Sequence, residues 1–272
     1  MPGKLYVVGT PIGNLEDMTY RAVRILSEVD FICAEDTRVT LKLLNHFEIK
    51  KPLVSYHEHS QSSVCESIIE RITSGETCAV VTDAGMPCIS DPGEDLVRIC
   101  RDRGLAVEAI PGPTAVATAA AVCGFSAARF TFEGFLSVAK KQRHEHLTSL
   151  AKDSHTMIFY EAPHKLTTTL SDMLKIFGDR RISLCRELTK IHEEVIRTTF
   201  SEALKFYETN SPRGEYVIVV EGAKEEISEY SLDDAVKLAK KLVDEGAKMT
   251  DACKEAAQVT GFRKNDIYRQ LM

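Results

Sequence analysis

The chain has 272 residues, which is enough for two compact domains. Hydrophobic residues make up 44% and charged residues 27%, a balance that is typical of globular proteins and disfavours a disordered chain. The formal net charge of −6 disfavours a generic nucleic-acid binder, so any contact with RNA must come from local basic patches. The N-terminus has no signal-peptide pattern, and no stretch reaches the roughly 20 apolar residues that span a bilayer. We therefore expect a soluble, cytoplasmic protein without a membrane contact.

The first half of the chain alternates short β-branched runs with longer helical patterns. Apolar residues at helical spacing predict helices between runs that are apolar almost throughout, as in strands covered by helices on both faces. This is an α/β layout, and right-handed crossovers make its sheet largely parallel. The predicted strands are residues 5–9, 31–35, 53–57, 78–83 and 106–112, and the predicted helices are residues 18–29, 64–75 and 93–104.

A second series of strands and helices follows the small-residue helix predicted at residues 114–124. Residues 125–143 mix aromatic, small and basic residues without a clear period, and we interpret them as a crossing between two α/β domains with a mobile loop. The domains predicted from this division are residues 1–118 and 119–225. The second-series strands are 156–162, 182–188 and 215–222, and its helices are 164–178 and 200–209.

The C-terminal segment, residues 228–272, is predicted to be purely helical. Helices at 232–246 and 250–261 each end at a glycine, a common helix stop, and residues 263–272 form a third. Two short helices joined by a tight glycine turn are typical of a helix-turn-helix. A plain three-helix cap that buries an apolar flank of the second domain fits the sequence equally well.

Three loops at predicted strand ends are rich in Gly, Pro and acidic residues: residues 9–14, 83–93 and 111–115. Ligands bind at the carboxyl ends of strands in open α/β sheets, where such residues let backbone amides approach a ligand closely. Any one loop could be only a tight turn, but the three together predict a single pocket. Because G-x-G-x-x-G and G-x-x-x-x-G-K-[ST] are both absent, the residues by themselves indicate only a polar small molecule.

Metal binding is not expected from the cysteine and histidine spacing. None of the eight cysteines lies within four residues of another, so we expect reduced thiols in the core of a cytoplasmic protein. His-Glu-His triplets occur at 57–59 and 144–146, but no third ligand is evident at either.

Eight motifs in chain order carry a resemblance to a known family. They are GTPIGNLEDMT (9–19), AEDTR (34–38), TDAGMPCISDPG (82–93), IPGPTA (110–115), FEGFL (132–136), YEAPHK (160–165), CRELTKIHEE (185–194) and RGEYVIVVEG (213–222). The sequence resembles the tetrapyrrole methylase-like superfamily, in the branch that 2′-O-methylates a cytidine of small-subunit ribosomal RNA. The match runs from about residue 4 to 222, and the helical tail resembles the C-terminal extension of that branch.

The resemblance implies two α/β domains of the class III methyltransferase type, with S-adenosyl-L-methionine in the cleft between them, in a homodimer with a small helical C-terminal extension. It implies small-subunit ribosomal RNA, or the small ribosomal subunit, as substrate. The cofactor residues carried over are Pro11 and Ile12, Asp83, Gly85 and Met86, Thr114 and Ala115, and Tyr160, Leu188 and Tyr216.

The catalytic candidates are polar groups in these motifs that could act as a base or hydrogen-bond acceptor for a weakly nucleophilic ribose hydroxyl. They are Glu35, Asp36, Arg38, His57, Glu187 and Lys190. The first three could equally be a helix-start carboxylate cluster with a salt bridge. Glu187 and Lys190 could equally be a surface ion pair.

The RNA-binding candidates lie in two locally basic segments, since Lys and Arg bind the phosphate backbone without reading sequence. They are Lys140, Lys141 and Arg143 before the second His-Glu-His triplet, and Arg263, Lys264 and Arg269 in the last helix. A solvated loop at 140–147 is an alternative. Two other functions also fit: a same-fold methyltransferase for a tetrapyrrole or other small molecule, and a non-catalytic module that binds RNA or protein.

Overall fold

The computed structural model describes residues 2–57, 62–224 and 230–272. The chain forms two compact units, Met1–Ala223 and Lys224–Met272. Both sheets belong to the first unit, so the boundary between two α/β domains near residue 118 stays a prediction.

The first sheet contains five parallel strands in the order β3-β2-β4-β1-β5. The strands are β1 (Lys4–Val8), β2 (Phe31–Ala34), β3 (Leu53–Ser55), β4 (Cys78–Val81) and β5 (Ala106–Ile110). The helices that connect them are α1 (Tyr20–Glu28), α2 (Thr37–His46), α3 (Ser62–Thr73) and α4 (Glu94–Asp102). One face packs on Ile25 and Leu44, and the other on Ile68 and Leu96. Coverage of both faces explains why the strands are largely apolar, and the predicted parallel α/β sheet is confirmed.

The second sheet is mixed, in the order β6-β7-β10-β8-β9. Its strands are β6 (Phe130–Phe135), β7 (Thr156–Glu161), β8 (Arg181–Arg186), β9 (Glu194–Thr199) and β10 (Tyr216–Val220). Only β6 and β7 pair in parallel, and the other neighbours are antiparallel. Its helices are α5 (Ala115–Val122), α6 (Lys140–Leu150), α7 (Leu166–Phe177) and α8 (Phe200–Tyr207). Alanines of α5 pack in the same apolar cluster as Val217 and Val219 of β10, because small side chains allow close approach.

The interpretation of residues 125–143 as a crossing with a mobile loop is wrong. Phe130–Phe135 form the edge strand β6, whose register shifts between Phe132 and Gly134. Such a bulge breaks the period of two that identifies a strand. The helix α6 begins at Lys140, and its buried positions include a charged residue, Arg143, so it lacks an apolar stripe.

The C-terminal unit contains three helices, α9 (Leu232–Asp244), α10 (Met249–Thr260) and α11 (Lys264–Leu271), as predicted. They share an apolar core of their own that includes Val236, Cys253 and Ile267. The helix α9 begins with a capping box between Ser231 and Asp234, and α10 ends at Gly261 in the left-handed conformation.

All eight cysteines are free, and seven of them are buried, as expected for core thiols. No helix in the described parts of the chain is long and apolar enough to cross a membrane.

Candidate active site

The loops after β1, β4 and β5 meet at the carboxyl edge of the first sheet. Thr10 and Gly85 exchange two backbone hydrogen bonds, of 2.9 and 3.1 Å, which join the first loop to the second. Gly9 faces Gly112 so closely that a Cβ on Gly112 would lie 2.8 Å from the Gly9 carbonyl carbon. Gly85 has a φ of +90°, which an L-residue with a side chain rarely adopts. Glycine is therefore required where these three loops cross.

A cavity of about 520 Å³ opens beside these loops, between them and the ends of the second-sheet strands. Its volume lies in the range of small-molecule and cofactor sites. Nine of the ten cofactor candidates line it: Ile12, Asp83, Gly85, Met86, Thr114, Ala115, Tyr160, Leu188 and Tyr216. The tenth, Pro11, is buried and does not line the cavity.

The first turn of α5 faces this cavity and is held by two side-chain hydrogen bonds. The Thr114 hydroxyl accepts a bond from the Ala117 amide, and the Tyr160 hydroxyl accepts one of 3.1 Å from the Val116 amide. Phe132 and Phe135 pack edge-on against the Tyr160 ring, with centroids 4.8 and 5.4 Å away. The wall thus combines a rigid aromatic surface with a helix N-terminus, which attracts negative or hydrogen-bond-accepting groups.

Carboxylates cluster on the opposite wall. Glu35 accepts a hydrogen bond from the Asp83 amide, and Asp83 accepts one from the Asp36 amide, which links the ends of β2 and β4. Burial raises the pKa of Asp83. This wall therefore suits a cationic or hydrogen-bond-donating part of a ligand.

Glu187 and Lys190 form an ion pair of 2.8 Å at the edge of the cavity, as the alternative interpretation predicted. Lys190 also contacts Glu215 at 2.9 Å, and its stem lies against Gly13. The Lys190 ammonium, followed by the Glu215 amide, holds the pKa of Glu187 below its usual value. Burial lowers the pKa of Lys190, but its bonds to the two carboxylates outweigh this and raise it. Both groups are charged at neutral pH, and neither is suited to accept a proton.

Three catalytic candidates lie outside the cavity wall. Asp36 caps the start of α2 and pairs with Arg38 at 2.6 Å, and the Arg38 side chain is 87% exposed. The Arg38 side chain and amide lower the pKa of Asp36 to about 2. This is the helix-start cluster that the alternative predicted. His57 follows β3 and is exposed.

Sequence reasoning missed Asp91, which lines the same cavity from the loop between β4 and α4. In this loop Cys88 and Ser90 have positive φ angles of 70° and 63°. Non-glycine residues with such strain concentrate at functional sites. The signal was available, since Asp91 belongs to the motif at 82–93, but only the first half of that motif was assigned a role.

The basic candidates of α6 divide into two groups. Lys140 and Lys141 are exposed and line a shallow groove with His144 and Thr148. Arg143 is instead buried, and its guanidinium bonds Asp172 at 2.8 and 2.9 Å. The expectation that Arg143 contacts RNA fails because this ion pair fixes it inside the protein.

The remaining candidates, Arg263, Lys264 and Arg269, are exposed at α11 in the C-terminal unit. Among the described residues there is no group of three His, Cys, Asp or Glu side chains that could hold a metal ion. His59 of the first triplet lies outside the described residues.

The tetrapyrrole (corrin/porphyrin) methylase family matches residues 4–204. The ribosomal RNA small subunit methyltransferase I of Halalkalibacterium halodurans is 45% identical over 270 residues, which cover 98% of this chain and 93% of the relative. The chain belongs to the tetrapyrrole methylase family and, within it, to the ribosomal RNA small subunit methyltransferase I family. The Bacillus subtilis member is 46% identical over 271 residues, covering 98% and 93% of the two chains. The Thermotoga maritima member is 48% identical over 220 residues, which cover 81% of this chain but 99% of that relative.

Solved structures of the superfamily share the fold. A cobalt precorrin-4 methyltransferase aligns with a TM-score of 0.60 and 21% identity, over 80% of this chain and 94% of the other. The uroporphyrin-III C-methyl transferase of Thermus thermophilus, complexed with S-adenyl homocysteine, aligns with a TM-score of 0.57 and 18% identity, over 80% and 97%. The predicted class III methyltransferase fold is thereby confirmed.

Proposed function

We propose that this protein transfers a methyl group from S-adenosyl-L-methionine to the ribose 2′-hydroxyl of a cytidine in small-subunit ribosomal RNA. The observation that carries the proposal is 45–46% identity, over nearly the whole chain, to relatives named for methylation of that RNA. The cavity supports it, because the family motifs converge there on a volume suited to a cofactor.

The residues around the cavity fit S-adenosyl-L-methionine. The contact between Gly9 and Gly112 and the positive φ of Gly85 set the shape of these loops, and Gly85 lines the cavity without a side chain to fill it. Ile12, Leu188 and the Tyr216 ring offer an apolar surface for a purine. The acidic wall around Asp83 is complementary to the ammonium and sulfonium charges of the donor.

Catalysis in this site depends chiefly on positioning. The donor supplies an electrophilic methyl group when bound, and displacement at that carbon needs no covalent enzyme intermediate. The protein must align the acceptor oxygen with the methyl carbon and exclude water, which accounts for rigid strand-end loops and the fixed Tyr160 ring. We propose no metal in this reaction.

We propose two separate sets of RNA contacts: Lys140 and Lys141 in the first unit, and Arg263, Lys264 and Arg269 in the C-terminal unit. All five are exposed cations, and exposed cations bind phosphates while the net charge of the chain remains negative. We propose a cytoplasmic location, because the proposed substrate is the RNA of the small ribosomal subunit.

We also propose a homodimer, as the resemblance implies. Sedimentation equilibrium of the purified chain is expected to give twice the monomer mass of 30.2 kDa, and a monomer at micromolar concentration would contradict this.

Two measurements test the proposed function. Because a ligand that binds the folded state stabilises it, S-adenosyl-L-methionine at 100 Kd is expected to add about 2.7 kcal/mol to stability and to raise the Tm. The protein and methyl-labelled S-adenosyl-L-methionine are then incubated with small ribosomal subunits and, separately, with uroporphyrinogen. Label in the RNA alone supports the proposal, whereas label in the tetrapyrrole alone supports the small-molecule alternative.

A further inference from the structure

Asp91 is an acidic residue on the cavity wall that has no hydrogen-bond partner for its carboxylate among the described residues. It lies between β4 and α4, is half-buried, and contributes to the lining of the donor cavity. Among the residues that the structure describes, no group donates a hydrogen bond to its carboxylate, and its surroundings act on it only through burial and charge.

The other carboxylates that line the cavity are all hydrogen-bonded within the protein. Each accepts at least one hydrogen bond from a backbone amide, a hydroxyl or an ammonium group. Glu35 and Asp83 accept from the Asp83 and Asp36 amides, Glu161 accepts from Ala162 and Thr169, and Glu187 and Glu215 accept from Lys190. Among these carboxylates, Asp91 is therefore the one whose negative charge no hydrogen bond from a described residue stabilises.

The burial of Asp91 and the charges around it favour its action as a base. Burial, then the nearby charges of Glu35 and Asp83, raise the pKa of Asp91 to about 7. A base is most effective when its pKa lies near the working pH. The groups that face it are Glu35 after β2, Asp83 after β4, Tyr160 on β7, and Cys88 of its own loop, while Glu161, His164, Glu187, Lys190 and Glu215 line the same cavity.

The backbone holds Asp91 firmly in place. Cys88 and Ser90 before it have positive φ, and Gly93 after it has a φ of +122°. Ser90 contacts β6 closely, since a Cβ on Gly134 would lie 3.1 Å from the Ser90 hydroxyl. A loop fixed from both sides gives a catalytic group the precision that proton transfer requires.

We propose that Asp91 is the catalytic residue that accepts the proton of the acceptor hydroxyl; this rests on the proposed function. As the hydroxyl oxygen forms its bond to the methyl carbon, the bond from that carbon to sulfur breaks and sulfur keeps the electron pair. The hydroxyl proton passes to the Asp91 carboxylate. The products are a methyl ether, neutral S-adenosylhomocysteine and a protonated Asp91, which returns its proton to solvent.

The test compares wild type, Asp91→Asn, Asp91→Glu and a control, Asp95→Asn, all as full chains. Asp95 lies on α4 with its side chain 74% exposed, and among the described residues its ion pair is with Arg98, so its variant is expected to behave as wild type. Two quantities are measured: the Kd of S-adenosylhomocysteine by calorimetry, and the single-turnover rate of methyl transfer to small ribosomal subunits between pH 6 and 9.

We expect Asp91→Asn to leave the Kd unchanged and to lower the rate about 10²–10⁴-fold, the usual contribution of a positioned base. The fall in wild-type rate on acidification should disappear in Asp91→Asn and persist in Asp91→Glu, which keeps the carboxylate. An unchanged Kd also establishes that the variant is folded.

Three results would overturn the inference. Asp91→Asn could transfer methyl as fast as wild type, or weaken donor binding while keeping the rate at saturating donor, which would make Asp91 a donor contact. The fall in rate on acidification could also persist in Asp91→Asn. If wild type binds the donor but methylates no ribosomal RNA, the proposed function itself fails, and this inference fails with it.

Discussion

Two acidic side chains in this protein, Asp91 and Asp172, are perturbed in opposite directions. Burial and like charges raise the pKa of Asp91, whose carboxylate has no hydrogen-bond donor among the described residues. Burial also raises the pKa of Asp172, but the hydrogen bonds from Arg143 and the contact with His144 at 3.1 Å outweigh this, and the pKa lies below its usual value. The first carboxylate is placed for chemistry at a cost in stability, and the second is part of the structure.

Removing the Asp91 charge is expected to stabilise the donor-free protein at neutral and alkaline pH. Asp91 has a pKa of about 7 in the folded state against 3.8 in the unfolded state. The folded protein therefore binds the extra proton, and stability falls as pH rises from about 4 to 7. After allowance for solvent screening, Asp91→Asn should gain on the order of 1 kcal/mol at pH 8, or about 2–4 °C in Tm. Calorimetric melts at pH 5 and 8 check this, and a gain that does not grow with pH contradicts it.

The Arg143–Asp172 pair is expected to affect stability and not RNA binding. Arg143→Met leaves Asp172, which is 5% exposed, without its main partner. The expected loss is about 3 kcal/mol in the free energy of unfolding by urea, because an unpaired buried charge is costly. Lys141→Met, on the same helix but exposed, should change stability by less than about 0.5 kcal/mol. Equal effects of the two substitutions would contradict the structural role.

The contact of a single residue was predictable where its partner lies nearby in the sequence. The Glu187–Lys190 pair spans three positions and was foreseen as an ion pair. The partner of Arg143 is 29 positions away on another helix, so nothing near Arg143 in the sequence marks it as buried. His57, Asp36 and Arg38 have polar side chains that are common in catalytic sites. His57 follows β3, and Asp36 and Arg38 lie at the start of α2, so none of the three lines the cavity.

Strands and helices were predictable from the sequence where burial produces a clear pattern of apolar residues. The strands of the first sheet are rich in apolar residues and were all found, whereas the helix α2 was not predicted. The two missed strands, β6 and β9, are the edges of the second sheet and contain many partly exposed residues. An edge strand that buries little apolar surface has no clear pattern to identify it.

The contact between the loops after β1 and β5 gives a steric prediction. In Gly112→Ala the new Cβ would overlap the Gly9 backbone at 2.8 Å, so the PGPTA loop must shift and donor affinity should fall about tenfold or more. The control is Gly104→Ala, where φ is +70° and no atom lies within 4 Å. It should cost about 1 kcal/mol through backbone strain and leave affinity unchanged. Calorimetric titration decides, and unchanged affinity in Gly112→Ala would contradict the assigned donor site.

For the chain as a whole, the open question is the C-terminal unit. The Thermotoga maritima relative matches over 99% of its length but leaves about a fifth of this chain without a counterpart. The C-terminal unit presents the exposed cations Arg263, Lys264 and Arg269, and exposed cations bind phosphates. We therefore expect this unit to act on RNA affinity.

Charge reversal of Arg263, Lys264 and Arg269 to Glu tests that expectation in the full chain. The KM for small subunits should rise about tenfold and depend less steeply on salt, while kcat is unchanged. The matched control reverses Lys237, Lys240 and Lys254, which are exposed on α9 and α10. An equal loss in the control would indicate a general charge effect, and no loss in either would exclude the tail from RNA binding.

The most direct measurement is to map the product of the reaction. Labelled S-adenosyl-L-methionine is incubated with the protein and small ribosomal subunits lacking the modification, and the RNA is digested and sequenced by mass spectrometry. We predict a single labelled nucleotide, a cytidine whose methyl group is on the 2′-oxygen. Label on a base, label spread over many nucleotides, or no label from a protein that binds the donor would contradict it.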